Sequence, residues 1–485
     1  MIKEYQTKSN VVINAWFIFI LLVLGLTSIA KADCFNQTLD KQSDFSDCVK
    51  LSNSGDVDAQ YSLGLMFAKG LGTKQDYKQA FEWFKKAAEQ GNAPAQYFLG
   101  HMFYLGIGTT QDYKQAFEWS KKAAEQGNVD AQYNLGVMFD KGQGTTQDYK
   151  QAFEWYKKAA EQGNAPAQRE LGLMFYNGKG STQDYKQAFE WCKKAAEQGY
   201  AAAQFSLGIM FDGGKGTTQD YKQALEWYKK AAEQGYADAQ FLLGFMFYNG
   251  KGTTQDYKQA FEWYKKAAEQ GDVGAQYLLG FMFANGEGTT QDYKQAFEWS
   301  KKAAEQGYAD AQDSLGNMFY KGQGTTQDYK QAFKWYKKAA EQGYAAGQFR
   351  LGLMFYNGKG TTQDYKQAFK WQKKAAEQGL DKAQFSLGSM FHYGQGTTQD
   401  YKQAFEWSKK AAEQGYAPAQ AVLGLMFYDG QGTTQDYVMA HMHLNVAASS
   451  GLEEAKKQRI LVEKSMTSSQ VEKAQELARE WVDKH

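Results

Sequence analysis

Residues 59–91 read AQYSLGLMFAKGLGTKQDYKQAFEWFKKAAEQG, and the organisation of the chain follows from this segment. In its first half, apolar residues such as Leu63 and Met66 recur at the spacing of one helix face. Gly70 interrupts that pattern, and Asp76 is a suitable N-cap for a second apolar-periodic run. The segment therefore predicts a helix–turn–helix unit.

The same unit recurs along most of the chain. Its Ala-Gln dipeptide returns every 36 residues without insertion, with Gly347 once in place of Ala: Ala59, Ala95, Ala131, Ala167, Ala203, Ala239, Ala275, Ala311, Ala383 and Ala419. Units of this kind bury their apolar faces by stacking on their neighbours. The predicted fold is all-α, a right-handed superhelical solenoid of eleven 36-residue helix–turn–helix repeats over 56–451. Residues 33–55 are predicted as an N-terminal cap containing a partial repeat, and 452–485 as capping helices.

Several local features agree with this prediction. The three prolines fall in the first turn of a predicted first helix, where a missing N–H is tolerated: Pro94, Pro166 and Pro418. Gly64 lies in mid-helix at a cost of about 1 kcal/mol, which predicts close approach of the second helix. The pair Asp76 and Gln79 fits a capping box, and Glu82 is spaced to pair with both Lys78 and Lys86. Ser468 or Ser469 is expected to cap the last helix.

The N-terminus has the pattern of a secretory signal peptide. Basic Lys3 and Lys8 precede the apolar run 15–26, and Ala30-Lys31-Ala32 fits a cleavage site after Ala32. Segment 1–32 is therefore predicted to direct export to the periplasm or outside the cell. The alternative is an uncleaved inner-membrane anchor over 11–30, with the solenoid in the periplasm. In either case Cys34 and Cys48 are candidates for a disulfide.

The repeat resembles the Sel-1-like repeat family, which is related to tetratricopeptide repeats. The resemblance rests on A-x-x-x-L-G-x-M-F-x-x-G-x-G-x-x-x-D-Y-x-x-A-x-x-W-x-x-K-A-A-x-Q-G and covers about residues 56–451. It implies that the first helices line a concave surface that binds other proteins. Some members of the family's cysteine-rich branch carry a β-lactamase label, but the cysteine pair of that branch is absent from these repeats.

Differences between repeats concentrate on one stripe of the first helix. Its aromatic positions are the candidate partner-binding residues: Tyr61, Tyr97 and Tyr133 in one series, and Tyr104, Tyr176, Tyr248, Tyr320, Tyr356 and Tyr428 in another. Tyrosine is favoured at interfaces because it buries a large area with few rotors. The alternative is that these aromatics pack against the next repeat as part of the spine.

Composition and motifs argue against several other functions. A net charge of +1 gives no basic footprint for nucleic acid. No catalytic, metal or cofactor residues are predicted; His441 and His443 are expected on the surface, since their spacing turns them to different helix faces. The sequence therefore predicts a non-catalytic protein-binding scaffold of the bacterial envelope or extracellular space. A cell-wall or β-lactam hydrolase, by family analogy, and a secreted host-interaction factor remain the alternatives, and the oligomeric state is left open.

Overall fold

A computed structural model describes Cys34 and residues 41–484, and the predicted signal peptide lies outside these residues. The described residues form 25 helices and no strand, in agreement with the predicted all-α repeat fold. The first helices of repeats 1–11, here called A helices, are α2 (Val57–Lys69), α4 (Ala93–Leu105), α6 (Val129–Lys141), α8 (Ala165–Asn177), α10 (Ala201–Gly213), α12 (Ala237–Asn249), α14 (Val273–Asn285), α16 (Ala309–Lys321), α18 (Ala345–Asn357), α20 (Asp381–Tyr393) and α22 (Ala417–Asp429).

The second helices, here called B helices, have the same length of 13 residues in every repeat. They are α3 (Tyr77–Glu89), α5 (Tyr113–Glu125), α7 (Tyr149–Glu161), α9 (Tyr185–Glu197), α11 (Tyr221–Glu233), α13 (Tyr257–Glu269), α15 (Tyr293–Glu305), α17 (Tyr329–Glu341), α19 (Tyr365–Glu377), α21 (Tyr401–Glu413) and α23 (Tyr437–Ser449). Helix α1 (Lys41–Asn53) precedes the repeats, and α24 (Glu453–Glu463) and α25 (Ser468–Lys484) follow them.

The chain divides into two compact units, the first ending at Ala239 and the second beginning at Gln240. Each unit is built in the same way. Within it, each A helix packs on the B helix of its own repeat, and each B helix packs on the A helix of the next repeat. The core consists of the alanines, leucines and methionines that recur at the predicted periodic positions.

The mid-helix glycines that recur in every A helix mark a close approach of the A and B helices. A Cβ atom on Gly64 would lie 2.7 Å from the ring of Phe84, and one on Gly208 would lie 2.6 Å from the ring of Tyr228. Normal carbon–carbon contacts are about 3.5–4.0 Å. The predicted reason for glycine at this position is therefore confirmed.

The turn between the two helices is fixed by caps at both sides. Gly70 ends α2 with φ 68°, and Asp76 accepts hydrogen bonds from the backbone N–H groups of Lys78 and Gln79. The backbone N–H of Asp76 donates to the carbonyl of Phe67 at 2.9 Å. The predicted capping box is therefore only half right, because the N–H that Gln79 would have satisfied is bonded to the preceding A helix instead.

A buried glutamine in each A helix joins consecutive repeats. In repeat 2, Gln96 donates from Nε2 to the carbonyl of Ala88 in the preceding B helix at 3.0 Å. Its Oε1 accepts from Gln126, at the end of its own B helix, at 2.7 Å. Equivalent bonds recur within both units, for example where Gln312 bonds Ala304 and Gln342. These bonds satisfy the polar groups of a side chain that is buried.

The exposed side of the B helices differs from the prediction. Lys86 does not pair with Glu82; its Nζ lies 3.8 Å from the centroid of the Trp83 ring, a cation–π contact that recurs along both units. The i,i+4 ion pairs that do form use the lysine just before the one that contacts tryptophan, and they join it to the last glutamate of the helix. Lys121 and Glu125, 4.0 Å apart, are an example. Exposed pairs of this kind contribute little stability.

Both ends of the repeat array are covered. Cys34 is joined by a disulfide to Cys48 of α1, and both are buried beside Ala59 and Met66 of the first repeat. At the other end, Ala474 and Ala478 of α25 pack against α23. Thr467 caps α25, since its hydroxyl accepts from the backbone of Gln470 at 3.3 Å, so the expectation of Ser468 or Ser469 was wrong by one or two residues.

Candidate protein-binding site

The first predicted series of aromatics is engaged in packing within and between repeats. Tyr61 is buried, with its ring centroid 5.9 Å from that of Phe84 and 6.0 Å from that of Phe98 in the next repeat. Tyr97 is half-buried and packs against the apolar cluster that contains Leu135 of the next repeat. Tyr133, also half-buried, packs on the Tyr156 ring of its own B helix at 5.8 Å. Burial raises the pKa of the Tyr97 hydroxyl above its ordinary range.

The second predicted series also links repeats, through a contact here called the tyrosine clasp. The ring of Tyr104 meets the edge of Tyr113, the first residue of its own B helix, at 5.2 Å. Its hydroxyl then donates to Oε1 of Gln143, in the loop of the next repeat, at 2.8 Å. The ring contact recurs at the other members, all of them half-buried: Tyr176, Tyr248, Tyr320, Tyr356 and Tyr428. Both series therefore make spine contacts of the kind that the alternative describes, and partner binding by the half-buried members stays a prediction.

Phe245 and Phe281 are the exposed aromatics of the same stripe. They occupy one equivalent position in repeats 6 and 7, and each side chain is 41% exposed. Leu65 and His101 at the same position in the first unit are buried. The sequence comparison placed this position on the variable stripe but did not select it. The sequence feature that could have selected this position is the occurrence of phenylalanine in two consecutive repeats. The other repeats carry smaller or polar residues there.

A pocket of about 370 Å³ opens beside Phe281 in the second unit. Its walls come from repeats 7, 8 and 9, and the lining residues used below are Tyr277, Ala284, Tyr293, Ser300, Asn317, Lys321, Gln323 and Arg350. The volume is in the range of sites that accommodate small ligands or single side chains. The pocket exists because small residues stand at two positions that carry tyrosine in repeat 6, namely Ala284 for Tyr248 and Ser300 for Tyr264.

A polar network forms one wall of this pocket. Arg350 donates from Nε to the carboxylate of Asp313 at 2.9 Å and from Nη1 to Oδ1 of Asn317 at 2.8 Å. The hydroxyl of Tyr336 donates to the same Asn317 oxygen at 3.0 Å. Burial raises the pKa of Asp313 to about 6, although the neighbouring Arg350 acts in the opposite direction. The network holds Arg350 in place and neutralises its charge.

The two clustered histidines are buried, so their expected surface position was wrong. His441 bonds Glu463 through Nε2 at 2.9 Å, and His443 bonds Gln420 through Nδ1 at 2.6 Å. Burial lowers the pKa of His443 to about 4, with a further contribution from Lys409. Within residues 41–484 and Cys34, no three His, Cys, Asp or Glu side chains are grouped to hold a metal ion. No helix in that part of the chain has the length and apolar character to span a bilayer.

Cys192 is the free cysteine of the described residues, and it is buried. Burial raises the pKa of its thiol to about 12. Nucleophilic cysteines need a thiolate near neutral pH. The raised pKa therefore argues against a nucleophilic role for Cys192. The residue fills the core position of the B helix, where Tyr156 and Tyr228 stand in neighbouring repeats.

Comparison with known proteins places these features in a family. The Sel1 repeat pattern matches eleven consecutive segments: 57–92, 93–128, 129–164, 165–200, 201–236, 237–272, 273–308, 309–344, 345–380, 381–416 and 417–452. The crystal structure of c5321, a protective antigen present in uropathogenic Escherichia coli strains and displaying an SLR fold, is 38% identical with a TM-score of 0.83; the match covers 90% of this chain and 94% of that one. A Sel1 repeat protein from Oxalobacter formigenes is 34% identical with a TM-score of 0.50, and the match covers 64% and 89%.

The chain matches no curated protein sequence. The Sel1 repeat solenoid is commonly a protein-interaction scaffold. Because the repeat pattern covers residues 57–452 without a gap, this chain belongs to the Sel1 repeat family.

Proposed function

We propose that this chain is an exported, non-catalytic scaffold that holds a segment of a partner protein on the A helices of its second unit. The observation that carries the proposal is the exposure of Phe245 and Phe281, each 41% exposed at one equivalent position in consecutive repeats. Aromatic residues are enriched at protein interfaces and depleted from free surface because their burial stabilises association. Two such anchors, with a pocket beside the second, fit an extended peptide segment that runs across neighbouring repeats.

The absence of catalysis is part of the proposal. Two polar side chains that break the repeat pattern are bonded within the protein, since Asp313 pairs with Arg350 and His443 bonds the recurring A-helix glutamine Gln420. A hydrolase would need an accessible nucleophile with a base in reach. A secreted host-interaction factor would use the same binding face with a different partner.

Export is proposed from two observations. The N-terminal segment has the signal-peptide pattern, and Cys34 and Cys48 form a disulfide, which is typical of oxidising compartments. Sequencing of the mature N-terminus in the native cell should find Asp33 as the first residue. Retention of Met1 in a membrane fraction would instead support the anchored alternative, and intact protein in the cytoplasm would contradict export.

The binding proposal is tested by comparing captured partners between variants. The double variant Phe245→Ala and Phe281→Ala should lose partners that the unchanged chain captures from the native envelope, with about 30-fold weaker binding for each anchor lost, as at interface hot spots. Tyr77→Ala is the matched control, since Tyr77 is 39% exposed but lies in the first unit. Circular dichroism should show equal helicity for all three proteins.

Quantitative mass spectrometry of the captured proteins gives the result. Equal capture by the double variant and the unchanged chain would contradict the proposal. Equal loss in the double variant and in Tyr77→Ala would also contradict it, because binding would then not be localised to the second unit.

A further inference from the structure

We infer that the pocket of repeat 7 is a binding site for a tyrosine side chain of the partner, with a carboxylate on the same segment. The inference rests on the proposed function, since it names the side chain that the bound segment presents. It starts from the tyrosine clasp, which shows what a filled version of this site looks like within the same chain.

The clasp makes two contacts in each repeat where it is complete. In repeat 6 the ring of Tyr248 meets the edge of the Tyr257 ring at 5.0 Å, and its hydroxyl donates to Oε2 of Glu287 at 2.7 Å. In repeat 9 the ring of Tyr356 meets Tyr365 in the same way, and its hydroxyl donates to Gln395 at 2.9 Å. In these repeats and in repeat 2 the acceptor lies 39 residues after the tyrosine, in the loop of the next repeat. In repeat 8 the residue at this separation is Lys359, which donates to the hydroxyl of Tyr320 at 2.8 Å.

Repeat 7 retains both contact groups but lacks the tyrosine. Ala284 stands at the tyrosine position, while Tyr293 supplies the ring edge and Gln323, 39 residues on, supplies the acceptor. All three line the pocket. Among the residues that the structure describes, the side-chain amide of Gln323 has no hydrogen-bond partner.

Repeat 1 shows that a missing tyrosine need not leave a pocket. Ala68 stands at the same position there, but the loop residue 39 positions later is Ile107, and both pack on one apolar cluster. The B helix of repeat 1 also carries the large Phe84, where repeat 7 carries Ser300. Repeat 7 is therefore the repeat that combines Ala284 and Ser300 with a polar loop residue.

A partner tyrosine would restore the missing clasp. Its ring would occupy the space between Tyr293 and Phe281, and its hydroxyl would donate to Oε1 of Gln323, as Tyr104 donates to Gln143. The space left by Ser300 allows the ring to enter from the exposed side rather than from the A helix. The residue class is set by this acceptor, because phenylalanine would leave Gln323 without a partner.

The charge of the lining adds a second requirement. Lys321 and Arg350 are the charged lining residues, and the charge of Arg350 is balanced by Asp313. In the part of the chain that the structure describes, the exposed Lys321 ammonium has no ion-pair partner. The lining therefore carries one uncompensated positive charge, which complements an Asp or Glu beside the tyrosine.

The test uses the full chain and two synthetic tripeptides, acetyl-Asp-Tyr-Asp-amide and acetyl-Asp-Phe-Asp-amide, in ligand-observed NMR titrations. The tyrosine peptide should bind about threefold to tenfold more tightly, the ratio expected from one net hydrogen bond. Ala284→Tyr, which fills the pocket from within, should weaken the tyrosine peptide at least tenfold without lowering the melting temperature. Gln323→Leu should remove the discrimination between the peptides, whereas Gln395→Leu, the matched change at a complete clasp, should leave it.

Three results would overturn the inference: no binding of the tyrosine peptide, equal binding of both peptides, or unchanged binding by Ala284→Tyr. Failure of the proposed function is detected by a different measurement, namely partner capture by the variant Phe245→Ala. Phe245 does not line the pocket, so this variant leaves the tyrosine site unchanged. If Phe245→Ala loses partners while Ala284→Tyr keeps them, the scaffold proposal stands and the tyrosine site is refuted.

Discussion

The substitution Gly208→Ala tests the helix approach on which every repeat depends. Ala in place of Gly within a helix gains about 1 kcal/mol from backbone preference alone. The added Cβ would lie 2.6 Å from two ring carbons of Tyr228, a residue that is only 1% exposed. Restoring normal contact requires a displacement of about 1 Å, and overpacking of this kind costs about 1–3 kcal/mol. Because the backbone gain offsets about 1 kcal/mol of this cost, we expect a net destabilisation of up to about 2 kcal/mol.

Gly213→Ala is the matched control on the same helix. Its Cβ would meet only Cγ of Lys215, at 3.6 Å, and Gly213 ends α10 with an ordinary helical backbone. Without a clash, and in the last turn, it should stabilise by about 0.5 kcal/mol. Hydrogen exchange measured by mass spectrometry on peptides from α10 and α11 reports the local opening free energy of both variants. Equal shifts of the same sign at the two positions would refute the close-approach argument.

Three further predictions concern titration and the disulfide. Burial lowers the pKa of His101 from 6.5 to about 4, so the first unit should lose about 3 kcal/mol as pH falls through this range in urea titrations; His101→Leu should remove the loss. Burial raises the pKa of Asp313 from 3.8 to about 6, so the second unit should instead lose stability as pH rises between these values, and Asp313→Asn should abolish that slope. Reduction of Cys34–Cys48 should cost about 3 kcal/mol, seen as faster exchange in α1 while α5 is unchanged.

The fold was predictable because its information is local and repeated. The period, the Asp76 cap and the mid-helix glycines each follow from residues within one 36-residue unit. The tyrosine clasp was not predicted, because its two ends lie 39 residues apart and the link is visible only once an A helix is known to meet the next loop. The Lys86–Trp83 contact was missed because charge spacing alone suggested a pair with Glu82.

The burial of the histidines could have been predicted by a different comparison. His441 and His443 lie 36 residues after Phe405 and Trp407, so the repeat period places them at apolar positions. The spacing of two residues places their side chains on different faces of α23, but it does not show that both faces are buried there. The exposure of Phe245 and Phe281 was harder to predict, because Leu65 is buried at the same position. The repeat pattern of apolar residues therefore does not distinguish a buried position from a partly exposed one.

The buried glutamines have a consequence for how such a chain can change length. Because Gln96 bonds the preceding B helix through the same atoms as Gln132 one repeat later, removal of 36 residues within a unit rebuilds the identical joint. Recombination between the near-identical repeats can therefore add or delete whole repeats without creating a faulty junction. The pocket does not share this tolerance, since Ala284, Gln323 and Arg350 belong to three successive repeats. Among chains of different length, the order of repeats 7, 8 and 9 is what selection on binding would preserve.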